Sequence, residues 1–481
     1  MASFKTDESF LEKIAIGAIG TQQVFSKLKQ LGHQPIELER GSMNYKLWKR
    51  IKIKRIRVPD ILCIDTGIRI ESRAKTKLEI SMSHSVSDPE RGWDSGMKDD
   101  DYIALVVCEK FDEKPIDWKA GNLVQFVSVK DLRQAEQQNQ TVLEKPKGAQ
   151  EGFEARIIWP ASVASADGIV TETGNTVKYK TIGRTNTIRL MKKEKNLCPI
   201  VKVGDKVLRN QILASVVNVN QVIPTKKVSV GYFLDNLDSL VLSERYAAAK
   251  ALSYFHDEKV TQALQKKLRD QDEHIYVKLE VAASLSRFEI IHGYDYIRDC
   301  LKDNYLQNVL EAVIVLAEIK TDIACQMLCE ILLDKSFNPE IRAGAVWGLG
   351  EQNNKSSLET IIASFNFVEE NIRIESARAL AKLAKNFNDD ILSSFQTASP
   401  GERPGISWAL TRSLSLNLDQ LLPCLNELDS RHWISYIIGT QGEECYVTEI
   451  EKLKDKDSEV YFAVTLLWKI MTSWIYDLKE Y

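Results

Sequence analysis

RIRVPDILCIDTGIRIESRAK (residues 55–75) decides how the first third of the chain is read. Apolar residues alternate with polar ones on both sides of a turn at Asp65–Gly67, a pattern that predicts two short adjacent strands. Asp60 then opens the first strand and Glu71 lies on the second, so the two acids can face the same side across the turn. Residues 73 and 75 follow Glu71 at intervals of two and share its face, which adds Arg73 and Lys75 to the set. Such a group is either ordinary cross-strand charge pairing on a hairpin or a pair of carboxylates gathered for a divalent cation.

Upstream, Leu11, Ile14, Ala18, Val24, Phe25, Leu28 and Leu31 recur at helical spacing, and Gly32 suits the end of that helix. The runs QPIELE, VPDILCID, GIRIES, KLEISM and DYIALVVCE read as strands, giving an α/β or α+β domain over residues 1–130. Residues 131–150 are polar and read as a linker or exposed helix. Residues 151–235 are rich in valine, isoleucine and threonine with glycine turns, the pattern of a small β domain. From 236 to 481 the chain is helical and repetitive, with unit-closing leucines at 252, 285, 316, 349, 380 and 410. Spacing near thirty residues, with small residues inside each unit, is the logic of an α-solenoid.

At 481 residues the chain is too long for one ordinary core. A formal net charge of −3 gives no global attraction to nucleic acid, so any basic surface has to be local. One local run exists: Lys46, Lys49, Arg50, Lys52, Lys54, Arg55 and Arg57 surround Tyr45 and Trp48. That density can neutralise phosphates while the aromatics stack on bases. The eight cysteines contain no CxxC pair and the six histidines are dispersed, so a zinc site is not expected. Cys325 and Cys329 stand one helical turn apart and read as core packing. No apolar run approaches the roughly 20 residues that span a bilayer, and no signal peptide opens the chain; a cytoplasmic setting is expected.

The leading helix, Pro59-Asp60, ten intervening residues and Glu71-Ser72-Arg73 together resemble the PD-(D/E)xK nuclease core of restriction enzymes. The resemblance implies that Asp60 and Glu71 hold Mg²⁺ (or Mn²⁺) and that Glu12 on the helix is an accessory acid. It makes Arg73 and Lys75 the catalytic cations, with Arg73 standing where the family has lysine and Lys75 able to substitute by migration. Arginine stabilises phosphate charge but cannot lose a proton at working pH. Lys49, Arg50, Lys52, Lys54, Arg55 and Arg57 would then contact nucleic acid.

The segment CPIVKVGDKVLRNQILASV, with its Gly204-Asp205 turn, resembles a barrel-sandwich hybrid domain of the biotinyl and lipoyl carrier type. With DGIVTETGNTVKYK before it, the segment is similar to part of the bacterial RNA polymerase β subunit. The repeats from 236 onward resemble HEAT-like repeats of the short bacterial type. Five positions seven residues before the repeat leucines (Arg245, Lys278, Arg342, Arg373, Arg403) form a basic series, read as inter-repeat pairing with acids such as Asp272, Asp334 and Glu369. Trp347, Trp408, Trp433 and Trp468 read as core.

The expectation is therefore a multidomain protein with an α/β nuclease-like core, a small β barrel-sandwich hybrid and an α-solenoid of HEAT-like repeats. Its function would be metal-dependent cleavage of nucleic acid, DNA rather than RNA, of restriction or phage-defence type. The solenoid would hold DNA or a protein partner, with no membrane involved, and the sequence leaves open a homodimer as the active form. The rival is a non-enzymatic binding scaffold built on an inactive nuclease-like domain, with a link to transcription. Carriers place a modifiable lysine at a hairpin tip, and TETGNTV offers Gly174-Asn175 there instead. The intact mass of protein from its native host should show no biotinyl or lipoyl increment; a matching increment would reverse the structural reading of the β segment.

Overall fold

The computed structural model describes residues 7–43, 56–85, 87–114, 116–145, 155–192, 195–412, 420–441, 451 and 454–466. One compact unit runs to Val277 and another begins at Lys278.

The first unit opens with α1 (Asp7–Gln30). Gly32, at φ +88°, lets the chain reverse, and the His33 N–H closes back on the Leu28 carbonyl at 3.0 Å. Strands β1 (Pro35–Glu37), β2 (Ile61–Cys63), β3 (Arg69–Lys75), β4 (Ile80–His84), β5 (Tyr102–Lys110) and β6 (Trp118–Ser128) follow. The central sheet has the order β1-β2-β3-β5-β6, with β3 and β5 parallel and its other pairs antiparallel.

Alternation along β5 explains why DYIALVVCE reads as one apolar run. Ala104 and Val106 pack with Val24 and Leu28 of α1 and with Ile61 and Ile70. Ile103, Leu105 and Val107 face the opposite layer, with Ile80, Met82, Trp93 and Trp159. A strand covered on both faces needs apolar residues at every position.

That opposite layer crosses the expected boundary at residue 150. After α2 (Val129–Gln137), capped by the Ser128 hydroxyl, comes β7 (Val142–Glu144) and then β8 (Ala155–Trp159). β8 pairs with both β4 and β7. Residues 131–150 are thus not a plain linker: Leu132 and Ala135 are buried in the same core as Ile157 and Trp159.

The β-rich character expected for 151–235 is present. β9 (Ala161–Val163), β10 (Gly168–Thr173), β11 (Thr176–Thr181), β12 (Arg184–Arg189), β13 (Met191–Lys192), β14 (Lys195–Asn196), β15 (Cys198–Pro199), β16 (Lys206–Val207) and β17 (Ile212–Ser215) form sheets ordered β12-β11-β10-β16, β15-β17-β9 and β13-β14. Val170, Val177, Tyr179, Val207 and Leu213 form their core. Gly174-Asn175 turns the β10–β11 hairpin, as its sequence predicts.

The helical series starts with α3 (Val230–Asn236), α4 (Leu242–Leu252) and α5 (Glu258–Arg269), which cluster with the β-rich unit, so the compact division lies at 277 and not at 235. The cause is polar anchoring: Ser243 of α4 is buried in hydrogen bonds to Arg69 and to the Gly96 carbonyl. α6 (Ile275–Arg287) crosses the division.

The second unit continues through α7 (Ile291–Cys300), α8 (Leu306–Glu318), α9 (Asp322–Leu333), α10 (Pro339–Gln352), α11 (Leu358–Ala363), α12 (Glu370–Thr397, broken at Phe387), α13 (Arg403–Leu410) and α14 (Leu428–Gln441). The unit-closing leucines 252, 285, 316, 349, 380 and 410 are all fully buried. A Cβ on Gly350 would stand 2.9 Å from the Ala379 Cα, so glycine is what lets α10 and α12 approach.

The arginine series separates in the structure. Arg342 is buried, donating to Glu369 at 2.6 Å and to the Leu332 carbonyl at 2.9 Å. Arg403 binds Glu427 and Asp429, and Arg245 forks onto Glu273, the neighbour of the expected Asp272. Asp334 instead caps its own turn through the Ser336 N–H, and Arg373 is exposed. Of the four tryptophans, Trp347 is buried, Trp408 and Trp433 are half-buried, and Trp468 lies outside the described residues. Arg342→Ala should therefore lower the unfolding free energy by about 3 kcal/mol, as loss of one partner of a buried pair does. Arg373→Ala should change it by less than about 0.5 kcal/mol. Urea denaturation of the two variants checks the contrast.

Candidate functional site

The β2–β3 register pairs Ile61 with Ile70, which sets Asp60 opposite Glu71 just beyond the paired residues. Ile61 and Ile70 turn toward α1, so Asp60, Glu71, Arg73 and Lys75 lie on the opposite face of the sheet. Asp60 is buried; its Oδ2 accepts the Ser72 N–H at 2.8 Å, and its carbonyl accepts the N–H groups of Leu38 (2.7 Å) and Glu39 (3.2 Å). Those bonds fix the carboxylate between β1 and β3.

A third acid, Glu39, joins the pair. Burial, then the charges of Glu71 and Glu39, push the Asp60 carboxyl well above its usual range, against the Ser72 N–H and Arg73. Burial also raises Glu71, opposed first by Arg73, with Glu39 adding to the rise and Arg57 countering it. Like charges held out of water repel one another and resist ionisation, and that repulsion and desolvation are what a bound cation would relieve. The sequence carried a signal for Glu39, the acid ending QPIELE, but no motif spacing tied it to Asp60.

The cations divide differently from the expectation. Arg73 Nη2 lies 3.1 Å from Glu71 Oε1, and Arg73 Nε has no hydrogen-bond partner. Lys75 reaches the other way, donating to the Ser81 carbonyl at 2.8 Å and the Ser81 hydroxyl at 2.5 Å. Burial, reinforced by Arg156 and Arg73, depresses its amine to about 7. Lys75 is thus on the site's face but committed to β4, and does not take the family lysine's place beside Glu71.

Glu12 is not part of the cluster. It pairs with Lys110 at 2.7 Å, on the α1 side of the sheet. Lys110 lies seven residues along β5 from Ile103, the register partner of Glu71, or roughly 20 Å away. Of the basic run, Arg57 is exposed near Glu71, while Lys49, Arg50, Lys52, Lys54 and Arg55 lie outside the described residues. His84 is structural, accepting the Trp93 N–H at 3.4 Å.

Residues 326–399 match the model of HEAT repeats, and residues 244–270 match that of the PBS lyase HEAT-like repeat. No curated protein matches the chain. Similar solved structures include the complex of CpcE and CpcF of phycocyanin lyase from Nostoc sp. PCC7120, at 16% identity and TM-score 0.26, covering 50% of this chain and 96% of that one. Human deoxyhypusine hydroxylase in complex with glycerol is another, at 13% identity and TM-score 0.21, covering 50% and 94%. Scores this low carry no argument about activity. The chain is a multidomain protein with a β-rich N-terminal region and a C-terminal helical HEAT-repeat region. No helix among the described residues is long and apolar enough to cross a membrane.

The raised Asp60 pKa has a consequence with a definite sign. Its contribution to stability is fully present below the unfolded value near 4 and is lost as pH rises through the higher folded value. Asp60→Asn keeps an acceptor for the Ser72 N–H but cannot ionise. Without divalent cation, this variant should melt above wild type at about pH 8, and the gap should narrow toward about pH 4. Calorimetry across that range checks it; a wild type more stable than the variant at the alkaline end would show that the carboxylate is not under repulsion.

Proposed function

We propose that the β-rich unit is a divalent-cation-dependent phosphodiester hydrolase acting on nucleic acid, DNA in preference to RNA. The pairing of Asp60 with Glu71 across β2 and β3, close enough to Glu39 that their carboxyls are raised, carries this reading. An all-oxygen donor set with this charge fits Mg²⁺ or Mn²⁺. Asp60 and Glu71 would hold the ion, with Glu39 beside them. Bound there, such an ion supplies Lewis-acid polarisation of a phosphate and acidifies a water.

The chain's own groups do the rest. The Ser72 N–H holds Asp60 in one orientation. Arg73, permanently charged, is placed to neutralise phosphate charge and is unsuited to take a proton. Arg57, exposed beside Glu71, extends positive charge toward an incoming backbone. Lys75 tightens the β3–β4 connection through Ser81 and has a positioning role.

A second reading rests on the same Arg73. Its 3.1 Å pair with Glu71 gives that acid an internal counter-ion, the arrangement of a nuclease-like domain that binds without cutting. In that case the HEAT repeats are the working part. The cleft of about 480 Å³ lined by Phe365, Arg373, Ile374, Pro404 and Trp408 is then a place for a protein partner.

Incubating the protein with plasmid, linear DNA and RNA, with and without Mg²⁺ or Mn²⁺, separates the two. Metal-dependent cleavage of DNA is expected, falling by at least about 10²-fold in Asp60→Ala, Glu71→Ala and Arg73→Ala, as loss of a charge-stabilising group does. Lys75→Ala should lose less than about tenfold, in keeping with its bonds to Ser81. No cleavage of any substrate under any of these conditions would leave the scaffold reading standing.

A further inference from the structure

On the α1 side of the sheet, His33 meets Cys63 and Asp65, a pair thirty residues further along the chain. His33 follows the helix-ending Gly32, Cys63 closes β2 opposite Pro35, and Asp65 sits in the turn before β3. One potential ligand atom from each lies within 4.8 Å of the others. Asp65 Oδ1 is fixed by the Gln34 N–H at 2.9 Å, which aims Oδ2 at His33 Nδ1, 3.4 Å away. The His33 side chain is 1% exposed, yet neither ring nitrogen has a hydrogen-bond partner. A buried polar atom left unpaired costs about 1–3 kcal/mol, and 3.4 Å is long for a hydrogen bond that would offset it.

We propose that His33, Cys63 and Asp65 form a second metal site, for a divalent transition ion of the zinc class, clasping the end of α1 to β2. An imidazole, a thiol and a carboxylate are the donors that zinc takes, and the sulfur disfavours Mg²⁺ and Ca²⁺. Ligand atoms of a tetrahedral zinc centre stand about 3.5 Å apart, so a spacing of up to 4.8 Å needs a contraction of at most about 1.3 Å. Three protein ligands leave the fourth position to water. Asp65, at the margin of the burial, is the entry side. Zinc is bound by the thiolate, so binding expels the Cys63 thiol proton to solvent. The site is independent of the carboxylate cluster. Cys63 is three residues from Asp60, about 10 Å along the strand, and points to the other face of the sheet.

The test uses the full chain, stripped with a chelator and refilled with Co²⁺ or Zn²⁺ while excess Mg²⁺ occupies the carboxylates. One equivalent of Co²⁺ should give thiolate-to-cobalt charge-transfer absorption in the near ultraviolet. One equivalent of Zn²⁺ should survive desalting and raise Tm. Asp60→Ala should retain both signals, and Cys63→Ser should lose the charge-transfer band. Asp65→Asn, which keeps an acceptor for Gln34, and His33→Gln decide the matter even if the core serine variant fails to fold. Each should weaken zinc binding by more than about 100-fold, beyond the roughly 10–100-fold typical of losing an outer-shell partner. The proposal falls if wild type shows no charge-transfer band, or if zinc retention disappears in Asp60→Ala and persists in Asp65→Asn.

Discussion

The β-rich unit is organised around one buried ion pair. Arg69 Nε and Nη2 bind the two oxygens of Asp101 at 3.0 and 2.6 Å, and both side chains are shielded from water. Two further donors are used, Nη1 on the Ser243 hydroxyl and Nη2 also on the Gly96 carbonyl. Asp101 in turn accepts the Lys98 N–H. Burial raises the Asp101 carboxyl above its usual range, and Arg69 is the main force opposing that rise. A buried pair satisfied this fully specifies geometry more than it adds stability, because desolvation cancels much of its attraction.

That geometry reaches the functional residues. Arg69 is the first residue of β3, and Asp101 immediately precedes β5, so the pair sets the parallel register that aligns Glu71 with Ile103 and Arg73 with Leu105. A slip of one residue would turn Glu71 toward α1 and away from Asp60. The same arginine holds α4 through Ser243, which is why the first HEAT-like helices belong to this unit. The acids can then sit close despite their repulsion, because the Leu38 and Glu39 N–H groups hold the Asp60 backbone whatever its charge, and the Ser72 N–H favours its carboxylate.

Much of this was legible in the chain. Alternating runs marked β1 to β4 and a continuous apolar run marked β5, and the repeat leucines marked the buried seam of the helical region. β6 was not marked: its first half is largely exposed and contains Gly121-Asn122, a turn signal, although Val124 to Val127 are buried. The stretch 131–150 looked like a linker because its apolar residues are few, yet Leu132 and Ala135 are enough to seat α2 in a core supplied by other strands.

The sequence by itself determined the elements, the pairing of Asp60 with Glu71 across a short turn, and the repeat character of the helical half, because each follows from local periodicity. Only the tertiary structure decided which charged groups meet. Glu39 joins the acids, Glu12 goes to Lys110 on the other face, and Lys75 is taken by Ser81 while Arg73 stays with Glu71. His33 likewise meets Cys63 and Asp65 only in space. The reason is geometric: a side chain's face is written in its neighbours along the strand. Its partner is set by which strand lies alongside and in what register, and that is fixed by contacts such as Arg69 with Asp101.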